Sequence, residues 1–178
     1  MSNLTFGVIA DIQYADQEPL GQRFFRNVLN KLPAAIEEIR KHQPAFILNL
    51  GDTVDNGLKN FKPVLRLMPD DIRVYNTLGN HDYYLMAPSN YPKVRELLGM
   101  PADYYDFSAG LWRFILLDSN DIIVEKGGHS LARAHSLMSA AEASRAGHAF
   151  SWNGAVSDEQ LGWLDDVLKN AKPKDKKS

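Results

Sequence analysis

Three short apolar runs, each ending in a polar cluster, set the rhythm of the first 82 residues. Residues 4–10 lead into Asp11-Ile12-Gln13, residues 45–50 into Gly51-Asp52-Thr53-Val54-Asp55, and residues 73–78 into Gly79-Asn80-His81-Asp82. Short, mostly apolar runs bounded by such polar and Gly-containing clusters predict buried strands of a parallel sheet. Between the first two, Phe24, Phe25, Val28, Leu29, Leu32, Ile36 and Ile39 recur at spacings of three and four, which predicts a helix. Pro33 should kink or restart it. A second crossover helix is expected over 58–68, disturbed by Pro63. Strand, helix, strand in this order implies right-handed crossovers and strands that all point one way. The polar clusters then gather at one edge, where open α/β sheets place their ligands.

Beyond the third strand the pattern changes. Residues 83–91 read as a loop, and Pro92 opens a short helix to Leu98. Residues 104–108 and 112–117 flank Ala109-Gly110, a hairpin signal that makes the sheet mixed. Residues 121–150, rich in Ala, Ser, Gly and His, read as an insertion over one end of the fold, with a helix over 130–145. Ser157 and Gln160 form a capping-box pattern that opens a last helix over 158–169. One domain over 1–171 and a basic, polar tail over 172–178 complete the reading.

Composition narrows the function classes. The chain has 178 residues, 44% hydrophobic, enough for one domain with a real core. A net charge of -2 gives no broad basic field, so neither nucleic acid nor a membrane surface is an expected partner. There is no Cys and therefore no disulfide or thiol chemistry. The start Met1-Ser2-Asn3-Leu4 enters a strand directly, without the charged and apolar regions of a signal peptide, so a cytoplasmic location is expected.

The strand-end clusters supply carboxylate and amide oxygens. Hard divalent cations prefer such donors, and a pair of cations can clamp an in-line phosphoryl displacement. Taken alone, Asp52 would sooner be read as a turn or helix-capping residue. Three such clusters in order carry more weight.

The elements Asp11-Ile12-Gln13, Gly51-Asp52-Thr53-Val54-Asp55 and Gly79-Asn80-His81-Asp82 resemble those of the calcineurin-like metallophosphoesterases, with Gln13 where that family usually has His. The start Phe6-Gly7-Val8-Ile9-Ala10-Asp11-Ile12-Gln13-Tyr14-Ala15-Asp16, and Trp152-Asn153-Gly154 ahead of residues 159–165, resemble its manganese-dependent ADP-ribose/CDP-alcohol diphosphatase branch. The resemblance implies an αββα sandwich with mixed sheets and flanking helices. It also implies two divalent metal ions, Mn²⁺ first, with Mg²⁺ or Fe as alternatives. Asp52 would bridge them, with Asp11 and Gln13 on one ion and Asn80 on the other; a neutral oxygen at Gln13 favours Mn²⁺ or Mg²⁺. His81 would face the substrate phosphate, stabilise transition-state charge and protonate the leaving oxygen, with Asp82 orienting its ring. Asp55 reads as a loop-fixing acid.

The implied reaction is hydrolysis of a phosphoanhydride in a nucleoside diphosphate derivative, ADP-ribose or a CDP-alcohol, to a nucleoside monophosphate. Tyr14, Tyr83, Tyr84 and Trp152 are aromatics that could stack on the base. Arg23 and Arg26 could hold the second phosphate, and Asn153 could contact substrate. His129, His135 and His148 read as surface or loop residues, and His42 sits at a helix end. The family pattern continues with further His-bearing elements, including G-H-x-H. The chain reaches Ser178 without them and reads as the truncated, N-terminal part of the sandwich. A homodimer or a complementary C-terminal fragment is then an expected partner, and by itself the chain should bind Mn²⁺ weakly and turn over little. The alternatives are a phosphomonoesterase or cyclic-nucleotide phosphodiesterase on the same scaffold, or a non-catalytic interaction module.

Overall fold

The computed structural model describes residues 3–84, 86–124, 126, 131–147 and 149–171. Three of the apolar runs become strands β1 (Gly7–Ile9), β2 (Ile47–Asn49) and β3 (Val74–Asn76). They form a parallel sheet in the order β1-β2-β3, with Val8 opposite Leu48 and Leu48 opposite Tyr75. Helix α1 (Val28–Arg40) makes the first crossover and buries Leu32 and Ile36. Pro33 lies inside α1 without ending it. The expected restart falls upstream instead: Phe25–Asn27 is a 3-10 turn, with Phe25 buried and Phe24 exposed. The second crossover is shorter than 58–68. Leu58–Asn60 is a 3-10 turn, and α2 covers only Phe61–Leu65. Pro63 is its third residue, where the backbone N–H has no helical partner to lose.

The short helix α3 (Asn80–Tyr83) follows β3 directly, and α4 (Tyr91–Leu97) starts with Pro92 in its first turn. Strands β4 (Tyr105–Ala109) and β5 (Trp112–Leu116) form the expected hairpin. It is not hydrogen-bonded into the parallel sheet but makes a separate two-stranded antiparallel sheet. Side chains join the two sheets. Phe46 lies 5.0 Å from Phe114 and 5.1 Å from Phe107, ring centre to ring centre, and Phe107 stacks on Tyr75 at 3.5 Å. The Tyr105 hydroxyl donates to the Asn76 carbonyl at 2.8 Å and accepts from the Asn76 N–H at 3.0 Å. The hairpin therefore uses rings and one hydroxyl where a mixed sheet would use a ladder. The main core brings Leu32 and Ile36 of α1 together with Phe61 and Val64 of α2, Val94 and Leu98 of the α4 region, and Leu116 of β5.

Helix α5 (Leu131–Ala143) falls within the expected insertion, and α6 (Asp158–Lys169) ends the described chain. Ile122 and Ala155 exchange two backbone hydrogen bonds of 2.9 Å, which clasp the chain on either side of that excursion. Ser157 caps α6 by accepting from the Gln160 N–H. The Gln160 side chain does not close the capping box. It is fully buried, accepts from the Asp118 N–H at 2.9 Å and donates to the Asp118 carbonyl at 3.1 Å. Its amide also donates to the Asp121 carboxylate, which accepts from the Ser157 N–H. The tail over 172–178 lies outside the described residues. Among the described residues no helix is long and apolar enough to cross a membrane.

Candidate metal and substrate site

The loops after β1 and β2 stay zipped together past the end of the sheet. Asp11 N–H donates to the Gly51 carbonyl, Gln13 N–H to Asp52, Tyr14 N–H to Thr53, and Asp55 N–H back to Tyr14. Asp11, Gln13 and Asp52 all adopt left-handed backbone, with φ of 55°, 48° and 52°. Asp tolerates that region better than Gln, and holding a Gln there takes a surrounding structure that over-determines it. The backbone zipper supplies that restraint and turns the three side chains toward one another.

The carboxylates of Asp11 and Asp52 flank the Gln13 amide, whose Nε2 lies 3.4 Å from Asp11 Oδ1 and 3.3 Å from Asp52 Oδ2. The other Asp52 oxygen accepts from the His81 N–H at 2.9 Å. Asp52 thus ties all three strand ends together. Gly79 is obligatory beside it, because a Cβ there would collide with the Asp52 carboxylate. Asn80 completes the cluster, lining the same cleft as Asp11, Asp52 and Gly79. Two carboxylates and two amides make an all-oxygen donor set, which suits a hard divalent cation. An amide N–H group standing between two carboxylates marks a place that favours positive charge, so these residues fit such an ion. Gln13 would have to present Oε1 instead, releasing the 2.7 Å hydrogen bond that this oxygen accepts from Arg23. Among the described residues no three His, Asp or Glu side chains gather closely enough to hold a metal by themselves.

Above this floor lies a cavity of about 770 Å³, lined by Asp11, Gln13, Arg23, Asp52, Asp55, Asn80, His81, Tyr84 and Trp152, among others. The acid beside His81 is Asp55, whose Oδ2 lies 3.3 Å from His81 Nδ1, off the line of a hydrogen bond. The same oxygen takes a 2.7 Å ion pair from Arg23. Asp82 does not orient the His81 ring. Its carboxylate is 1% exposed and accepts from the Val54 and Gly79 N–H groups, both at 3.0 Å, which fastens the β2 and β3 loops to each other. Burial pushes the Asp82 carboxyl up to about 7, and the two backbone N–H groups pull against that shift.

Two of the expected base-stacking aromatics are unavailable. Tyr14 pairs with Val54 as an isolated bridge, and Tyr83 packs edge-on against Tyr91; both are buried in the core. Tyr84 and Trp152 do reach the cavity, and Asn153 lines the adjoining cleft. Arg23 reaches the cavity with its guanidinium already engaged by Gln13 and Asp55. Arg26 is spent on exposed pairs with Asp16 and Glu18. His135 is exposed on α5 and His42 is exposed just beyond α1. His129 and His148 lie outside the described residues.

Sequence reasoning passed over Ser119 and Asn120, which line the cleft beside Asp11 and Asp52. Asn120 is buried and donates to the Leu78 carbonyl at 3.0 Å, bracing the end of β3. The signal was present: residues 112–117 are a fourth apolar run that ends in a polar cluster, Asp118-Ser119-Asn120. Also unanticipated is the buried amide chain behind the site. Asn49 Nδ2 donates to Thr53 Oγ1 and Asn76 Oδ1, and Asn76 Nδ2 donates to the Leu98 carbonyl.

With this geometry in hand, known proteins provide a comparison. The family model described as calcineurin-like phosphoesterase matches residues 4–177. A protein of Oryza sativa subsp. japonica named manganese-dependent ADP-ribose/CDP-alcohol diphosphatase is 31% identical, over 94% of this chain and 61% of its own length. The human protein of the same name is 29% identical, over 92% and 61%. A crystal structure described as a dimetal phosphatase from Danio rerio superposes with a TM-score of 0.76 at 25% identity, covering 93% of this chain and 65% of that one. The chain thus spans about six-tenths of the length of these curated relatives.

Proposed function

This chain belongs to the calcineurin-like phosphoesterase family, with the metallophosphoesterase fold, and from that premise we propose that it takes part in hydrolysing the phosphoanhydride of a nucleoside diphosphate derivative, ADP-ribose or a CDP-alcohol, to a nucleoside monophosphate. The observation that carries the reading is the meeting of Asp11, Gln13, Asp52 and Asn80 under a cavity that His81 also lines. Names of the relatives support Mn²⁺ as the ion. Asp11, Asp52, Asn80 and a turned Gln13 would hold it. When bound, a divalent cation supplies Lewis-acid polarisation of the phosphoryl group and a more acidic water.

The chain's own residues supply the rest. Asp52, pinned by the His81 N–H, keeps the β1 and β3 loops in register around the phosphate. Asp55 beside Nδ1 favours a proton on that nitrogen and leaves Nε2 to face the leaving oxygen. Arg23 neutralises Asp55, which limits negative charge next to an incoming diphosphate. Trp152 and Tyr84 border the cavity and restrict solvent.

The test is release of AMP from ADP-ribose at saturating Mn²⁺, with p-nitrophenyl phosphate and cyclic AMP as competing substrate classes. It is run on this chain alone and on this chain joined to the part of the rice relative that it does not match. The expected result is Mn²⁺-dependent AMP release by the joined protein, with the chain alone as the comparison. Asp52→Ala should abolish both metal binding and turnover, whereas His81→Ala should lower turnover far more than it weakens metal binding. Preference for the monoester or the cyclic nucleotide would overturn the diphosphatase reading.

A further inference from the structure

Trp152, at the mouth of the site, is stacked on Phe150, with ring centres 4.6 Å apart and planes 6° from parallel. Both stay about half exposed, at 48% and 52%. A bare aromatic pair in water forgoes the burial that normally rewards such rings. Local structure nevertheless holds it in place. The Asn153 N–H donates to the Phe150 carbonyl at 3.0 Å, closing a four-residue turn that carries both rings. Gly154 then docks the turn onto the segment after β5, so closely that a Cβ would collide with the Ser119 carbonyl. One residue later, Ala155 closes the clasp with Ile122. The rings are therefore a fixture on a short, anchored turn.

Trp152 lines both openings of the site, beside Asp11, Asp52 and Asn80 in each. A phosphate resting on that cluster would bring whatever is attached to it past the indole. We infer that Trp152, backed by Phe150, is the platform on which the planar base of a nucleotide stacks, so that the 150–153 turn sets selectivity for base-bearing phosphates. This inference rests on the proposed phosphate position and adds to it the part of the ligand that is recognised. An indole face accepts purine and pyrimidine rings alike, which matches a site that takes adenine and cytosine derivatives.

The experiment titrates AMP and ribose 5-phosphate into the 178-residue protein with Mn²⁺ present, read by calorimetry and by tryptophan fluorescence. AMP should bind about tenfold or more tightly than ribose 5-phosphate. That preference should vanish in Trp152→Ala and persist in Trp152→Phe. Fluorescence quenching by AMP should be largely lost in Trp152→Phe although binding persists. Equal affinities in the wild type, no binding of either ligand, or a preference that survives in Trp152→Ala would each overturn the inference. Because the readout is binding, a Trp152-dependent preference without ADP-ribose hydrolysis would sink the hydrolase reading and leave the platform standing. Hydrolysis without that preference would do the reverse.

Discussion

Single atoms decide much at the carboxyl ends of the strands. Gly79 sits where a methyl group would strike the Asp52 carboxylate. Gly79→Ala should therefore lower Mn²⁺ affinity by about 10-fold or more, as loss of a supporting contact around a metal typically does. Calorimetric titration of the joined protein checks this, with a melting curve to show that the fold persists. Tyr105 provides a pH-dependent case away from the site. Its hydroxyl is buried against the Asn76 backbone, and burial pushes it up to about 12 from an ordinary value of 10.0. Above pH 10 the unfolded chain loses this proton while the native chain keeps it, so stability must fall as pH rises toward 12. Tyr105→Phe should flatten that alkaline slope and cost about 1–3 kcal/mol at neutral pH, since two backbone groups lose their partner. Thermal melts between pH 8 and 12, a range of about four units spanning both values, measure both effects.

Elements are held by side chains as much as by ladders. The clearest case is α6, where the cap and the anchor can be compared. Ser157→Ala removes one capping bond, worth about 1 kcal/mol. Gln160→Leu removes the hydrogen bonds that a buried amide makes to Asp118 and Asp121 and strands the Asp118 backbone groups, so a loss of about 2–4 kcal/mol is expected. Denaturant unfolding of the two variants tests that order. An anchor weaker than the cap would mean that α6 docks through its apolar face alone. This is also where the legibility of the sequence stops. Strands β1, β2 and β3, the hairpin and α6 were legible because strand length, turn chemistry and capping are local signals, and the meeting of Asp11, Gln13, Asp52 and Asn80 followed from three strand ends. The Gln160 clamp, the Asn49–Asn76 chain and the burial of Tyr14 and Tyr83 were not. Each depends on a partner beyond its own element, most of them tens of residues away, and a polar or aromatic side chain reads alike whether it faces water or closes such a contact. The Asp55–His81 pairing was missed for the same reason, since the nearer Asp82 looked like the natural partner.

At the scale of the whole molecule, β1 is an edge strand among the described residues, beside a groove that runs along Val8, Ile9, Val28 and Leu32. Val8 is 50% exposed there. Open edges flanked by apolar side chains invite pairing with another strand. The 178-residue protein should therefore self-associate with rising concentration in sedimentation experiments, and Val8→Lys should return it toward monomer. A wild-type monomer across that range would show that the edge is already guarded. The clasp between Ile122 and Ala155 has a different reach. It brings the two ends of a long excursion together with a pair of backbone bonds, and inside it only a few points are fixed, among them the buried Ile123 and the close approach of Gly154 to Ser119. Closing such a stretch costs only about 0.6 kcal/mol more for each doubling of its length. Between those fixed points the segment is thus a cassette: evolution, or a protein engineer, could lengthen or shorten it and retune what enters the cleft, while the acids beneath keep their places.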